Sequence, residues 1–131
     1  MKQINLTELG TRYAAAWSSQ DPSLLTTFYV QNGSLSVNDG SPSVGTAAIQ
    51  QTVRSFMTAF PDMVVKMTRM EEENGHVVFH WLWTGTNTGP GGTGRFVRMI
   101  GYERWKLDQN GLIQESKGYY DEAEYHRQLN H

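Results

Sequence analysis

Proton transfer to a small organic molecule needs a carboxylate, a histidine or a tyrosine held in a partly apolar pocket. Asp121 follows Tyr119 and Tyr120 directly and opens the run Asp121-Glu122-Ala123-Glu124. A carboxylate there can cap a terminal helix with its side chain. It acts as a base near neutral pH only where burial raises its pKa, and the two tyrosines supply such surroundings and a hydroxyl donor for an enolate oxygen. Both roles fit one residue. Lys117 shares strand parity with Asp121 and Glu115. Glu115 and Lys117 read as a surface pair, whereas a buried Lys117 would keep Asp121 ionised and lower its pKa. Asn87 follows a segment in which Val77, Phe79, Trp81 and Trp83 share one face. If that face lines a pocket, the Asn87 amide can hydrogen-bond a substrate carbonyl; otherwise Asn87 is a turn residue tolerant of left-handed geometry. His80, on the opposite parity with Val78 and Leu82, reads as part of a packing or dimer surface.

Other chemistries are disfavoured by type or spacing. With no cysteine there is no disulfide, thiolate nucleophile or thiolate-bound zinc. His76, His80, His126 and His131 have no ligand spacing on one helix face, so no metal is expected. The glycine-rich run Gly89–Gly94 lacks the lysine-serine ending of a phosphate loop and reads as a flexible hairpin. A formal charge of −2 gives no electrostatic reason to expect nucleic acid or an anionic membrane as partner. Met1 to Leu9 holds no apolar run of signal-peptide length, and no stretch is long enough to span a bilayer, so a cytoplasmic protein is expected.

The elements that must position these groups follow from local signals. Asn5-Leu6-Thr7-Glu8 is a capping box, and Leu6, Leu9, Tyr13, Ala14 and Trp17 then recur at helical spacing. The helix stops near Ser18-Ser19-Gln20, and Asp21-Pro22 opens a second, short one with Leu24, Leu25 and Phe28 inward. Asn32-Gly33 predicts a turn, Ser34–Asn38 a short strand, and Asp39-Gly40-Ser41-Pro42 another turn. A third helix starts near Gly45-Thr46, buries Ile49, Val53, Phe56, Met57 and Phe60, and stops at Pro61. Four strands follow, Val64–Glu72, His76–Thr86, Arg95–Leu107 and Leu112–Tyr120, with Asn74-Gly75 and Asn110-Gly111 as tight turns. A last helix covers Glu122–Leu129. Helices first and a strand meander afterwards is an α+β order in one domain, residues 1–131.

Several of these residues also form a family pattern. Trp17 then Asp21, Gly45 through Ile49, Phe60-Pro61-Asp62-Met63, Gly85-Thr86-Asn87-Thr88-Gly89, Thr93-Gly94-Arg95, the stretch Asp108–Glu115, Asp121, and Arg127-Gln128-Leu129 stand in order over nearly the whole chain. This resembles the SnoaL-like polyketide cyclases of the nuclear transport factor 2-like superfamily. The resemblance implies a cone-shaped, curved antiparallel sheet wrapped around the N-terminal helices and enclosing a pocket, as in cystatin-like folds. It implies that Asp121 is the general acid/base taking a proton next to a carbonyl, in an aldol-type or enolisation step without a cofactor. The sequence departs from the family at Asn87, where histidine is usual, and at Lys117, where an aromatic is usual.

The expected function is therefore acid/base chemistry on a carbonyl substrate, cyclase- or isomerase-like, with Asp121 and Asn87 as catalytic residues. The substrate-binding residues expected are Tyr13, Trp17, Phe56, Met63, Trp81, Trp83, Tyr102 and Tyr119, an aromatic set suited to a small apolar or polycyclic carbonyl compound. A homodimer is expected as well. The alternative is a ligand-binding or dimerisation module that keeps the pocket without the chemistry.

Overall fold

The Asn5 side chain accepts a hydrogen bond from the Glu8 backbone N–H at 3.0 Å, which satisfies one open donor at the start of α1 (Leu6–Ser18). The computed structural model describes residues 5–130. The readings made on Met1–Ile4 and on His131 lie outside these residues. Asp21 caps α2 (Pro22–Thr26) in the same way, accepting from Ser23 N–H at 3.0 Å. Helix α3 (Thr46–Ala59) buries Ile49, Val53 and Met57, spaced one turn apart, and ends immediately before Phe60-Pro61.

Six strands form one sheet: β1 (Tyr29–Val37), β2 (Ser43–Val44), β3 (Val64–Glu73), β4 (His76–Thr86), β5 (Phe96–Leu107) and β6 (Ile113–Tyr120), in the order β2-β1-β6-β5-β4-β3. Strands β3 to β6 are an antiparallel meander. Its first turn places Asn74 at φ 52° and Gly75 at φ 80°, the double left-handed geometry that favours Asn-Gly. In the β5–β6 turn, Asp108 accepts from the backbone N–H groups of Asn110 and Leu112 at 2.8 and 2.9 Å.

Two features differ from the expected layout. The sheet contains one parallel pair, since β1 runs beside β6 in the same direction with Leu35 opposite Ser116. The turn expected at Asn32-Gly33 is instead the interior of β1, which begins at Tyr29 and shifts register before Ser34. A β-bulge absorbs the extra residues. The site is tight, since a Cβ on Gly33 would sit 3.0 Å from the carbonyl oxygens of both Val30 and Ile113, which would have to give by a few tenths of an ångström.

Helix α1 is tied to β3 by Ser18 Oγ, which accepts from Val65 N–H at 2.8 Å. Between helices and sheet lies an aromatic core in which Phe79 and Trp105 stack at 5.2 Å and Tyr13 meets both rings edge-on at 5.1 and 4.8 Å. The final helix, α4 (Glu122–Asn130), returns over the sheet. Tyr125 packs there against Trp83 and Tyr120, with centroids 5.6 and 5.5 Å apart. Gln128 holds the α4 side of β5 by accepting from Arg98 N–H at 2.7 Å and donating to Arg98 C=O at 3.0 Å. Among the described residues no helix is long and apolar enough to cross a membrane.

Candidate functional site

Strand β5 alternates in its first half: Phe96, Arg98, Ile100 and Tyr102 face out, while Val97 and Met99 face the core. The same parity carries Glu103 inward, beside Trp105. Glu103 is only 6% exposed, and three donors from three elements converge on its Oε1. Tyr13 Oη of α1 donates at 2.7 Å, Ser116 Oγ of β6 at 2.7 Å, and Trp105 Nε1 of β5 at 3.0 Å. Tyr13 and Tyr29 hydroxyls are 2.8 Å apart. Since the Tyr13 proton is spent on Glu103, Tyr29 is the donor in that pair.

Burial raises the Glu103 pKa above the ordinary carboxylate range, while the surrounding donors, Trp105 and Ser116 foremost, pull against the rise. Burial likewise pushes the Tyr13 and Tyr29 hydroxyls far above their ordinary range, so both remain protonated donors. Glu103 Oε2 accepts no hydrogen bond from the described residues, and Glu103 lines a cavity. With Oε1 saturated, a proton carried by this carboxyl sits on Oε2, and a proton taken from a ligand is taken by Oε2.

The cavity has a volume of about 70 Å³. Apart from Glu103 its lining is almost wholly apolar, contributed by α1 (Trp17), α3 (Phe56), β1 (Leu35, Val37) and β4 (Trp81, Trp83) among others. Its aromatic walls meet at steep angles: Trp17 to Phe56 at 75°, Phe56 to Trp83 at 89°, Trp83 to Trp81 at 78° and Trp81 to Tyr120 at 60°, with centroids 6.1 to 6.5 Å apart. The Trp17 and Trp83 Nε1 atoms are buried with no hydrogen-bond partner among the described residues. Trp17 Nε1 stands near enough to Glu103 to favour its ionised form.

Six of the residues expected to bind substrate do line this cavity: Trp17, Phe56, Met63, Trp81, Trp83 and Tyr119. Tyr13 stands behind it, fully buried, and holds Glu103. Tyr102 lies on the outer face, 38% exposed, opposite Tyr119. The two residues expected to be catalytic are placed elsewhere. Asp121 is exposed and accepts from Glu124 N–H at 3.0 Å, so it caps α4, and it borders an outer groove of about 650 Å³ that shares Trp81, Tyr119 and Tyr120 with the cavity. Asn87 is buried, and its amide is used structurally: it donates to Ala59 C=O at 3.1 Å and accepts from Thr93 N–H at 2.8 Å, stapling the hairpin to the end of α3. Lys117 is exposed on the outer face and does not reach Asp121 as an ion-pair partner. Glu103, absent from the sequence-based site, carried one readable signal: an acidic residue at the inward parity of a strand otherwise apolar on that face.

A profile of the SnoaL-like polyketide cyclases matches residues 7–129. The chain belongs to this family. Among solved structures, a hypothetical protein with a ketosteroid isomerase-like fold from Catenulispora acidiphila, determined in complex with trimethylamine, superposes with a TM-score of 0.81 at 18% identity, over 95% of this chain and 94% of that one. A putative SnoaL-like polyketide cyclase from Jannaschia gives 0.78 at 13% identity, over 98% and 96% of the two chains. SalBIII, an epoxide hydrolase/cyclase-like enzyme described with a role in pyran ring formation in the polyether salinomycin, gives 0.76 at 14% identity, over 90% and 92%. No curated protein matches the chain in sequence. These likenesses establish the SnoaL-like, nuclear transport factor 2-like fold.

Proposed function

We propose that this SnoaL-like domain binds a compact, largely apolar carbonyl compound in the cavity and that Glu103 moves a proton on it without a cofactor. The observation that carries the reading is a carboxyl with one oxygen held by three protein donors and the other left to the cavity. Glu103 Oε2 takes a proton from the carbon next to the carbonyl, the C–H electron pair moves into the carbon framework, and the negative charge collects on the carbonyl oxygen. The Trp17 indole N–H, buried beside Glu103 without a hydrogen-bond partner among the described residues, is the donor assigned to that oxygen. The same Glu103 then returns the proton to carbon, or delivers it to the oxygen of a second carbonyl that the enolate has attacked. The raised pKa makes Glu103 a stronger base than an exposed carboxylate once it is ionised. Small cyclic ketones, which carry exchangeable α-hydrogens and little polar surface, are the first substrates to test.

The test is deuterium exchange at the α-carbon of small cyclic ketones in D2O, followed by proton NMR. The expected result is exchange above the buffer rate, lost in Glu103→Gln and retained in Asp121→Asn. Exchange that survives Glu103→Gln, or that never exceeds buffer across the ketones tried, moves the reading to a ligand-binding module without chemistry.

A further inference from the structure

The cavity joins two features that carbonyl chemistry does not require together: a box of aromatic rings and one carboxylate. The rings of Trp17, Phe56, Trp83, Trp81 and Tyr120 all line the cavity, successive pairs inclined at 60° to 89° and not stacked. Ring faces carry negative quadrupole potential, and a desolvated cation held among several of them gains more than at any single ring. Glu103 supplies a full negative charge when ionised, and the other groups packed around it favour that state. Tyr13 from α1, Ser116 from β6 and Trp105 from β5 donate to it, and Trp17 from α1 stands beside it. The titratable groups facing it are Tyr13 and Tyr29, both neutral donors. Among the described residues no lysine or arginine lines the cavity. When ionised, Glu103 is thus an anion with hydrogen-bond donors and, among the described residues, no positive partner, in a space of about 70 Å³.

We propose that this cavity is a binding site for a small alkylammonium cation, of the tertiary or quaternary methylammonium class, which seats among the aromatic walls and neutralises Glu103. The proposal rests on the reading of the cavity as a ligand site but not on the carbonyl reaction. A bound cation displaces a ketone and holds Glu103 as the carboxylate. Cation binding therefore releases whatever proton Glu103 carries, and affinity rises with pH until Glu103 is ionised in the free protein.

Tetramethylammonium chloride is the probe, because its charge does not vary with pH, and tert-butanol is the neutral molecule of like size. Both are titrated into the intact chain at constant ionic strength. The methyl resonance reports entry, since aromatic ring currents shift it upfield. The expected result is saturable binding of tetramethylammonium that strengthens from acid to neutral pH and exceeds that of tert-butanol by about tenfold or more. Glu103→Gln should weaken the cation by about tenfold or more and remove its pH dependence, leaving tert-butanol unchanged. Trp81→Leu, which keeps an apolar wall and changes a half-buried side chain, should weaken the cation selectively and guards against a folding defect in the first variant. Equal binding of the two probes, or a cation affinity indifferent to Glu103→Gln, overturns the proposal. Ketone exchange measured on the same samples separates the two readings. Exchange without cation binding overturns this inference alone, and the absence of both overturns the cavity as a ligand site.

Discussion

Replacing Glu103 by glutamine should leave the fold intact and change the way its stability depends on pH. The amide oxygen of glutamine can take the place of Oε1 and accept the same three hydrogen bonds, now 2.7, 2.7 and 3.0 Å long, while its NH2 group faces the cavity. Burial raises the folded-state pKa of Glu103 above its ordinary 4.5, so over a range of pH the folded chain holds a proton that the unfolded chain has released. The stability that the neutral carboxyl contributes is therefore complete below pH 4.5 and is lost as pH rises toward the folded pKa, after which it levels off. One proton limits the slope to about 1.4 kcal/mol per pH unit. Glutamine has no proton to lose, so the two proteins should agree within about 1 kcal/mol near pH 4, and the variant should be increasingly the more stable above it. Glu103→Leu is the comparison. It strands three buried donors and should cost about 3 kcal/mol or more at low pH, where the wild-type carboxyl is neutral. Urea unfolding of the three proteins from pH 4 to pH 9 measures all of this. Parallel curves for wild type and Glu103→Gln would refute the buried, raised carboxyl. Equal stability of the glutamine and leucine variants would refute the three-donor geometry.

Asp121→Ala should loosen α4 by about 1 kcal/mol, visible as faster hydrogen exchange confined to that helix, with ketone exchange at Glu103 retained. A loss of turnover with no change in α4 would return the chemistry to Asp121. Asn87→Ala should destabilise the chain by about 1–3 kcal/mol in urea, because the Thr93 N–H loses its acceptor and Ala59 C=O is left with the Gly89 N–H alone, while ligand affinity stays within about twofold. The outer face of the sheet exposes Phe96, Ile100 and Tyr102, and we expect it to pair two copies of the chain. Ultracentrifugation should show a dimer that Ile100→Glu dissociates, and a wild-type monomer at micromolar concentration would end that expectation.

Local signals made most elements readable. The caps at Asn5 and Asp21, the proline after α3 and the Asn74-Gly75 turn each act over a few residues, and the elements lie where these signals put them. Even Phe60-Pro61-Asp62-Met63 has a local logic, with Asp62 accepting from both the N–H and the hydroxyl of Thr86 at 2.7 Å. What escaped depends on partners distant in the chain. Asn32-Gly33 has the composition of a turn, but pairing with β6, some eighty residues later, draws it into a bulged strand. The walls were legible because large aromatics at alternate positions of β4 announce one face. The reactive group was not, because Glu103 has meaning only with Tyr13, Ser116 and Trp105 around it, and those come from three elements. Asp121 drew attention through its position in the family pattern, and in the fold its Oδ1 starts α4.

The clasp of Gln128 on Arg98 also bears on how the chain avoids its own copies. Strand β6 ends opposite Gly101, so β5 from Phe96 to Ile100 has β4 on one side and no strand on the other. Five residues of bare backbone edge, carrying Phe96 and Ile100, are a template for strand addition by another molecule. One glutamine side chain, offering an acceptor and a donor to the same residue, imitates a single rung of a neighbouring strand. With α4 lying over that edge, growth into an extended sheet is blocked at its middle, and a chain cut after Tyr120 should aggregate through β5 before it loses its cavity.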